Sequence, residues 1–285
     1  MQIGIFARTF SRPTLGELLG AIAKSGVECA QFNFSCIGLP TLPEEIDPVL
    51  TKEIRREFAR HKLRLAAVSG TFNLIHPDIH VRHDGLRRLK ELVGTCAKMG
   101  APVITLCTGT RDPENMWRRH PQNELPDAWE DLLAGLSEAL PIAEANRITL
   151  GVEPEPNNVV ASARMARRLL DELKSPRLKI VMDAANLFQV ENLSRMRETL
   201  NEAFDLLGRD ITIGHAKDIQ YTPELRHVAA GKGLLDYDHY VALLEASGFA
   251  GPLVLHELNE SEVAGSVAFL RRKLQPSNRN AAAND

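Results

Sequence analysis

Four stretches in the second half of the chain end on groups that bind protons or metal ions. RITLGVE closes on Glu153, LKIVMD on Asp183, ITIGH on His215, and GPLVLHE on His256 and Glu257. Each polar terminus follows a run that reads as a buried strand. Glu153 and Asp183 are 30 residues apart and Asp183 and His215 are 32 apart, each about one strand-plus-helix unit, so successive units present one donor each toward a common axis. Carboxylates with imidazoles suit a divalent hard or borderline cation such as Mn2+, Mg2+, Co2+ or Zn2+. A plainer role exists at each position, because an acidic residue after a strand is often a helix cap, and Asp183 before AANL has that pattern. Capping does not account for the set. His215 is a poor cap, and Pro154 discourages a helix directly after Glu153.

Strand alternation sharpens two positions. In ITIGHAKDI (211–219), residues 213, 215 and 217 share a face, so Lys217 points into the same mouth as His215 and can meet an anionic or hydroxyl group. The alternative for Lys217 is a rim pair with Asp218 or Glu257. Asp218 faces the other way, as an orienting partner or a loop cap. In LHEL, alternation lets only one of His256 and Glu257 face the axis squarely.

Eight runs rich in β-branched and apolar residues must position these groups: QIGIF, ECAQFNF, LRLAAVSG, PVITLCTGT, RITLGVE, LKIVMD, ITIGH and GPLVLHE. Segments of helical periodicity lie between them, such as Leu15, Leu18, Leu19 and Ile22, or Leu86, Leu89, Leu92 and Val93. Several end on a glycine stop: Gly26, Gly100, Gly208 and Gly248. Strict alternation implies parallel pairing through right-handed crossovers, and eight such units predict an α/β fold, a single-domain (β/α)8 TIM barrel over residues 1–275. An open doubly wound sheet would carry a GxGxxG after its first strand, and none is present. PSNRNAAAND at 276–285 is expected to be a flexible C-terminal tail.

Composition narrows the partners. Among 285 residues, 44% are hydrophobic and 25% charged, and the net charge of −3 offers no field for a nucleic-acid backbone. The pairs Arg55/Arg56, Arg87/Arg88 and Arg167/Arg168 lie on amphipathic segments and read as solvated helix faces. Cys29, Cys36, Cys96 and Cys107 lack CxxC spacing, the pattern of reduced, packed thiols. With neither a signal core nor a membrane-length apolar run, the expectation is a cytoplasmic protein with no membrane partner, for which a homo-oligomer is compatible.

The chain resembles the sugar phosphate isomerase/epimerase group of the xylose isomerase-like TIM barrels. The resemblance is carried, in order, by SGTFNLIHPD (69–78), GVEPEPNNVV (151–160), VMDAANL (181–187), GHAKD (214–218), GKGLLDY (231–237) and GFAGPLVLHEL (248–258). It implies a divalent metal held by Glu153, Asp183, His215 and a strand-eight residue. It also implies two acidic residues that shuttle a proton between neighbouring carbons of a ketose or related polyol ketone, a small-molecule sugar. Two positions depart from the pattern. Asn186 stands where sugar epimerases commonly carry a substrate-binding His. The strand-eight ligand is usually a Glu five residues past a glycine, and here that offset from Gly251 reaches His256, with Glu257 displaced by one.

His256 is therefore the expected fourth ligand, with Glu257 as base or as a partner of Lys217, and the reversed assignment as alternative. Removing a proton beside a carbonyl gives an enediolate, which a nearby dication stabilises, and Glu153 and Glu257 are the candidate bases. Asn73 and His76 after the third strand, and Thr110, Arg111 and His120 after the fourth, are expected with Asn186 to contact substrate. Competing activities are a metal-dependent dehydratase of a cyclic polyol ketone, an abasic-site endonuclease, which the net charge opposes, and a non-catalytic sugar-binding barrel.

Overall fold

Burial of alternating apolar runs against amphipathic helices produces a closed barrel in the computed structural model, which describes residues 1–275. The strands are β1 Gln2–Phe6, β2 Cys29–Phe32, β3 Arg64–Ser69, β4 Val103–Cys107, β5 Thr149–Glu153, β6 Leu178–Asp183, β7 Ile211–Tyr221, β8 Leu225–Ala229 and β9 Pro252–Leu255. The helices are α1 Leu15–Lys24, α2 Pro48–Arg60, α3 Ile79–Met99, α4 Pro126–Asn146, α5 Ala163–Leu173, α6 Met196–Leu207, α7 Tyr237–Ala246 and α8 Val263–Leu274. Strands β1 to β7 pair in parallel with their neighbours, β9 enters between β7 and β1, and the ring closes. This is the expected (β/α)8 barrel.

Helix ends follow local chemistry. Thr14 accepts from the Glu17 amide to start α1, Asp78 accepts from His80 to start α3, and α3 stops at Gly100 in the left-handed region. Leu18, Leu19 and Ile22 of α1, like Leu89, Leu92 and Val93 of α3, are buried against the sheet.

The barrel interior is layered. Phe6, Ala67, Val103, Val181, Ile213 and Val254 form a small apolar cluster of their own, apart from the larger core between sheet and helices. One alternation step further along the strands, Val181 is followed by Asp183, Ile213 by His215 and Val254 by His256. The period-two pleat thus places a polar layer directly above the apolar one, at the C-terminal face.

One element departs from strict strand and helix alternation. The ITIGH run continues to Tyr221, and β8 returns antiparallel to it, pairing Lys217 with Ala229 and Tyr221 with Leu225. LRHVA carries no apolar alternation because the hairpin rises out of the barrel and only Ala229 of its five residues is buried. The boundary drawn at 275 leaves the expected tail, 276–285, outside the described residues. Among the described residues, no helix is long and apolar enough to cross a membrane.

Candidate active site

Glu153, Asp183, His215 and His256 converge from β5, β6, β7 and the end of β9, all four buried, with one ligand atom from each within 4.8 Å of the others. Register brings them together: Asp183 sits opposite His215 in the β6–β7 ladder. His215 Nδ1 lies 3.1 Å from Glu153 Oε1 and 3.7 Å from Asp183 Oδ2, while His256 Nε2 lies 2.7 Å from Asp183 Oδ2. Asp183 also acts as the cap its sequence suggested. Its Oδ1 accepts from the Ala185 amide, which leaves Oδ2 for the cluster.

A ring of further contacts fixes these groups. Lys217 is buried and reaches Asp183 Oδ2 at 3.2 Å and Asn186 Oδ1 at 2.7 Å, so its partners are these rather than Asp218 or Glu257. Asn186 in turn donates to Glu153 Oε1 at 3.0 Å. His215 Nε2 faces Gln31 Oε1 at 3.3 Å, and the Gln31 amide donates to Ser69 and Thr105 hydroxyls. Phe6 stacks on His256 and meets His215 edge-on. Two tyrosines of α7 pin the strands from behind: Tyr237 donates to the Lys217 carbonyl, and Tyr240 to the carbonyl of Met182 or of His215.

The backbone separates His256 from Glu257. Glu257 adopts φ +54, a left-handed conformation uncommon for a non-glycine residue, and its side chain is 46% exposed at the rim of the cavity. His256 continues the inward alternation of Val254, whereas Glu257 turns outward.

Electrostatics reflect the crowding of charge in this layer. Burial alone would raise the Asp183 and Glu153 carboxyls. The charges of Lys217 and the histidines at Asp183, and of His215 at Glu153, outweigh that and hold both below the ordinary range. The imidazoles diverge. Burial would lower His215, but Glu153 and Asp183 carry it up to about 9, whereas burial and then the His215 charge push His256 down to about 4. Two buried carboxylates thus draw positive charge onto one imidazole and Lys217. Two carboxylate and two imidazole donors around one point fit a divalent cation, which would replace the proton on His215.

Above the cluster opens a cavity of about 500 Å³, lined by Phe6, Arg8, Gln31, Trp117, Glu155 and Glu257 among others. Glu155 is half-buried, and desolvation followed by repulsion from Glu153 raises its carboxyl to about 8. Cys107, Glu153 and Glu155 bring a second set of ligand atoms within 4.8 Å of one another. Sequence reasoning missed Gln31 and Glu155. Alternation along CAQFN would have turned Gln31 inward; Glu155, between Pro154 and Pro156, lies beyond the reach of any period.

Of the six expected substrate contacts, only Asn186 joins this network. Asn73 spends its amide on Thr110, accepting from its N–H and donating to its carbonyl. Thr110 donates to the Arg118 carbonyl or the Asn123 side chain, and Arg111 turns away to Asp131 and the Ile75 carbonyl. His76 meets the Pro113 carbonyl and the Asp78 amide, and His120 caps a single turn through the Gln122 amide. None of these five lines the cavity. Their loops need internal partners to hold a shape, and these side chains supply them.

Asp218 clamps the hairpin. Its carboxylate accepts from the amides of Ile219, Gly231 and Leu235 at 2.9, 3.1 and 2.9 Å. Gly231 has φ +88, and a Cβ on Gly233 would collide with this carboxylate and the Ile219 carbonyl, which explains both glycines of GKGLLDY.

Comparison with known proteins agrees with the barrel fold. The family described as xylose isomerase-like TIM barrel matches residues 19–273. A curated relative, L-ribulose-5-phosphate 3-epimerase UlaE of Shigella flexneri serotype 5b, is 23% identical over 190 residues, 67% of this chain and 62% of that protein. The chain thus spans less than two thirds of that relative's length. Among solved structures, a D-tagatose 3-epimerase-like protein superposes with a TM-score of 0.77 at 16% identity, covering 99% of this chain and 100% of the other. The IOLI protein with a bound zinc atom gives 0.72 at 18% identity, over 95% and 96% of the two chains. With the family match running from α1 to α8, the chain belongs to the xylose isomerase-like TIM barrel family.

Proposed function

We propose that this protein is a divalent-metal-dependent sugar isomerase or epimerase that moves a proton next to the carbonyl of a ketose or related polyol ketone. One observation carries the reading: two carboxylates and two imidazoles are buried and converge at the C-terminal face of the barrel, where Glu153 and His256 line an open polar cavity. The names of the relatives, an L-ribulose-5-phosphate 3-epimerase and a D-tagatose 3-epimerase-like protein, support the substrate class.

Glu153, Asp183, His215 and His256 would hold the cation, which supplies Lewis-acid polarisation of a carbonyl oxygen beside it. The remaining work belongs to side chains. On the β5 side, Glu153 takes the proton from the carbon next to the carbonyl, with its carboxylate oriented by Asn186 and His215. On the β9 side, Glu257 is the carboxylate placed to return a proton to the opposite face. Lys217, held between Asp183 and Asn186, donates to a substrate oxygen. Beneath the enediolate formed between the two steps, the Phe6 ring packs against both imidazoles. The four cysteines are all free thiols, which accords with a reducing cytoplasmic setting.

The test couples metal analysis to deuterium uptake from solvent into a panel of ketoses, followed by identification of the product. One divalent ion per chain and exchange at the carbon beside a carbonyl are expected. A metal-free protein, or no exchange from any ketose, sinks the proposal; release of water as the main product converts it to a dehydratase.

A further inference from the structure

The cavity over the donor cluster does not end at the barrel mouth. A second cavity of about 590 Å³ shares Phe6, Arg8, His227, His256 and Glu257 with the first, and runs outward between the end of β1, the β7–β8 hairpin and the segment after β9. The inner cavity, about 500 Å³, lies within the usual range for a complete small-molecule site, so the outer groove is room beyond what one ketose requires.

The chemistry of the outer groove distinguishes among substituents that a sugar could carry into it. A phosphate site needs an excess of cations or a set of free backbone amides. The groove has no excess of cations, and several of its neighbouring amides are already taken. Its cations are Arg8 and Lys232 and its carboxylates are Glu257 and Glu262, with Lys232 already paired to Glu262 at 2.6 Å. The hairpin amides that an anion would use, those of Ile219, Gly231 and Leu235, are taken by Asp218, and the Asn259 amide donates to Glu262. What lines the groove instead is a mixture of donors and acceptors without net sign, including Gln220, His227 and Asn259. That mixture matches a neutral polyhydroxyl group, whose hydroxyls both donate and accept.

We propose that the substrate is a ketose bearing a second, uncharged sugar unit, with the ketose over the donor cluster and the second unit in the groove against the hairpin. This rests on the isomerase or epimerase reading of the inner site and names the substrate class for it.

The experiment is calorimetric titration of the Mn2+-loaded protein with three kinds of ligand built on one ketose. These are free fructose, fructose 1- and 6-phosphates, and the four glucosyl-fructoses joined through O1, O3, O4 and O6 (trehalulose, turanose, maltulose and isomaltulose). At least one disaccharide should bind tenfold or more tighter than fructose and tighter than either phosphate. Gln220→Ala should then reduce that disaccharide-to-fructose ratio by about 3–10-fold, the size of one lost hydrogen bond. A phosphate that binds tightest overturns the proposal, as does a panel in which no disaccharide exceeds fructose, or a ratio unmoved by Gln220→Ala. Deuterium exchange into free ketoses, run beside the titrations, separates the two claims. Exchange without disaccharide preference defeats only the second sugar unit, whereas disaccharide preference without exchange into any member of the panel defeats the isomerase reading.

Discussion

The two halves of the barrel mouth carry equally polar sequence but use it differently. On the side built from β5, β6, β7 and β9, Glu153, Asp183, His215, Lys217 and His256 all turn inward and touch one another. Across the mouth, beyond β3 and β4, Asn73, His76, Thr110, Arg111 and His120 bond within and between the two loops and to α4. The difference lies in what fixes each side chain. At a strand end the ladder sets direction, and neighbours in register must meet. In a loop, unpaired backbone groups recruit the nearest polar side chains, and a residue so recruited is lost to ligand binding.

The strongest way to break this contrast is Asp183→Asn. The variant keeps side-chain shape but should lose the metal, by more than the roughly 10–100-fold in affinity that loss of even an outer partner costs, with the barrel still folded. Metal stoichiometry after dialysis, beside circular dichroism, decides it; full retention removes Asp183 from the ligand set. A second comparison pits neighbours on one strand against each other. His256→Ala should release metal, whereas Glu257→Gln should keep it and slow turnover by about 10²–10⁴-fold. The reverse pattern in a metal titration would mean that Glu257 turns inward on binding.

On the loop side the expected effects fall on stability. Asn73→Ala removes partners of the Thr110 N–H and carbonyl and should cost about 1–3 kcal/mol in urea unfolding, with KM for the identified substrate unchanged. A raised KM at full stability would return Asn73 to the substrate. The smallest effect is expected for His120→Gln, within about 0.5 kcal/mol of wild type and without kinetic consequence. A clear loss of turnover there would show that the loop after β4 closes over the ligand.

This contrast also explains what the sequence made legible. The eight parallel strands could be read because their apolar runs are buried on both faces, and the inward turn of His215 and Lys217 followed from a period of two. The His256 and Glu257 pair was nearly legible, but which of them faced inward depended on the left-handed backbone at Glu257, which no residue type announces. β8 escaped notice because a hairpin outside the barrel needs no buried face, and its stability rests on Asp218, two glycines and the ladder to β7. The partners of the loop side chains were not legible, because they lie far away in sequence, as Asn73 does from Thr110.

β9 has a consequence in time as well as in space. It closes the ring against β1 and brings His256, so the chain gains the last donor and the last ladder together. His256 follows His215 by 41 residues, which at the usual ~5–20 residues per second of synthesis is a delay of about 2–8 s. During that interval a growing chain has Glu153, Asp183 and His215 but not His256, so only three of the four donors exist. A cation held by all four donors would therefore be enclosed only at closure, when His256 arrives. If the four donors hold a cation, expression in medium enriched in one metal and refolding in the presence of another should then give the same polypeptide with different occupants.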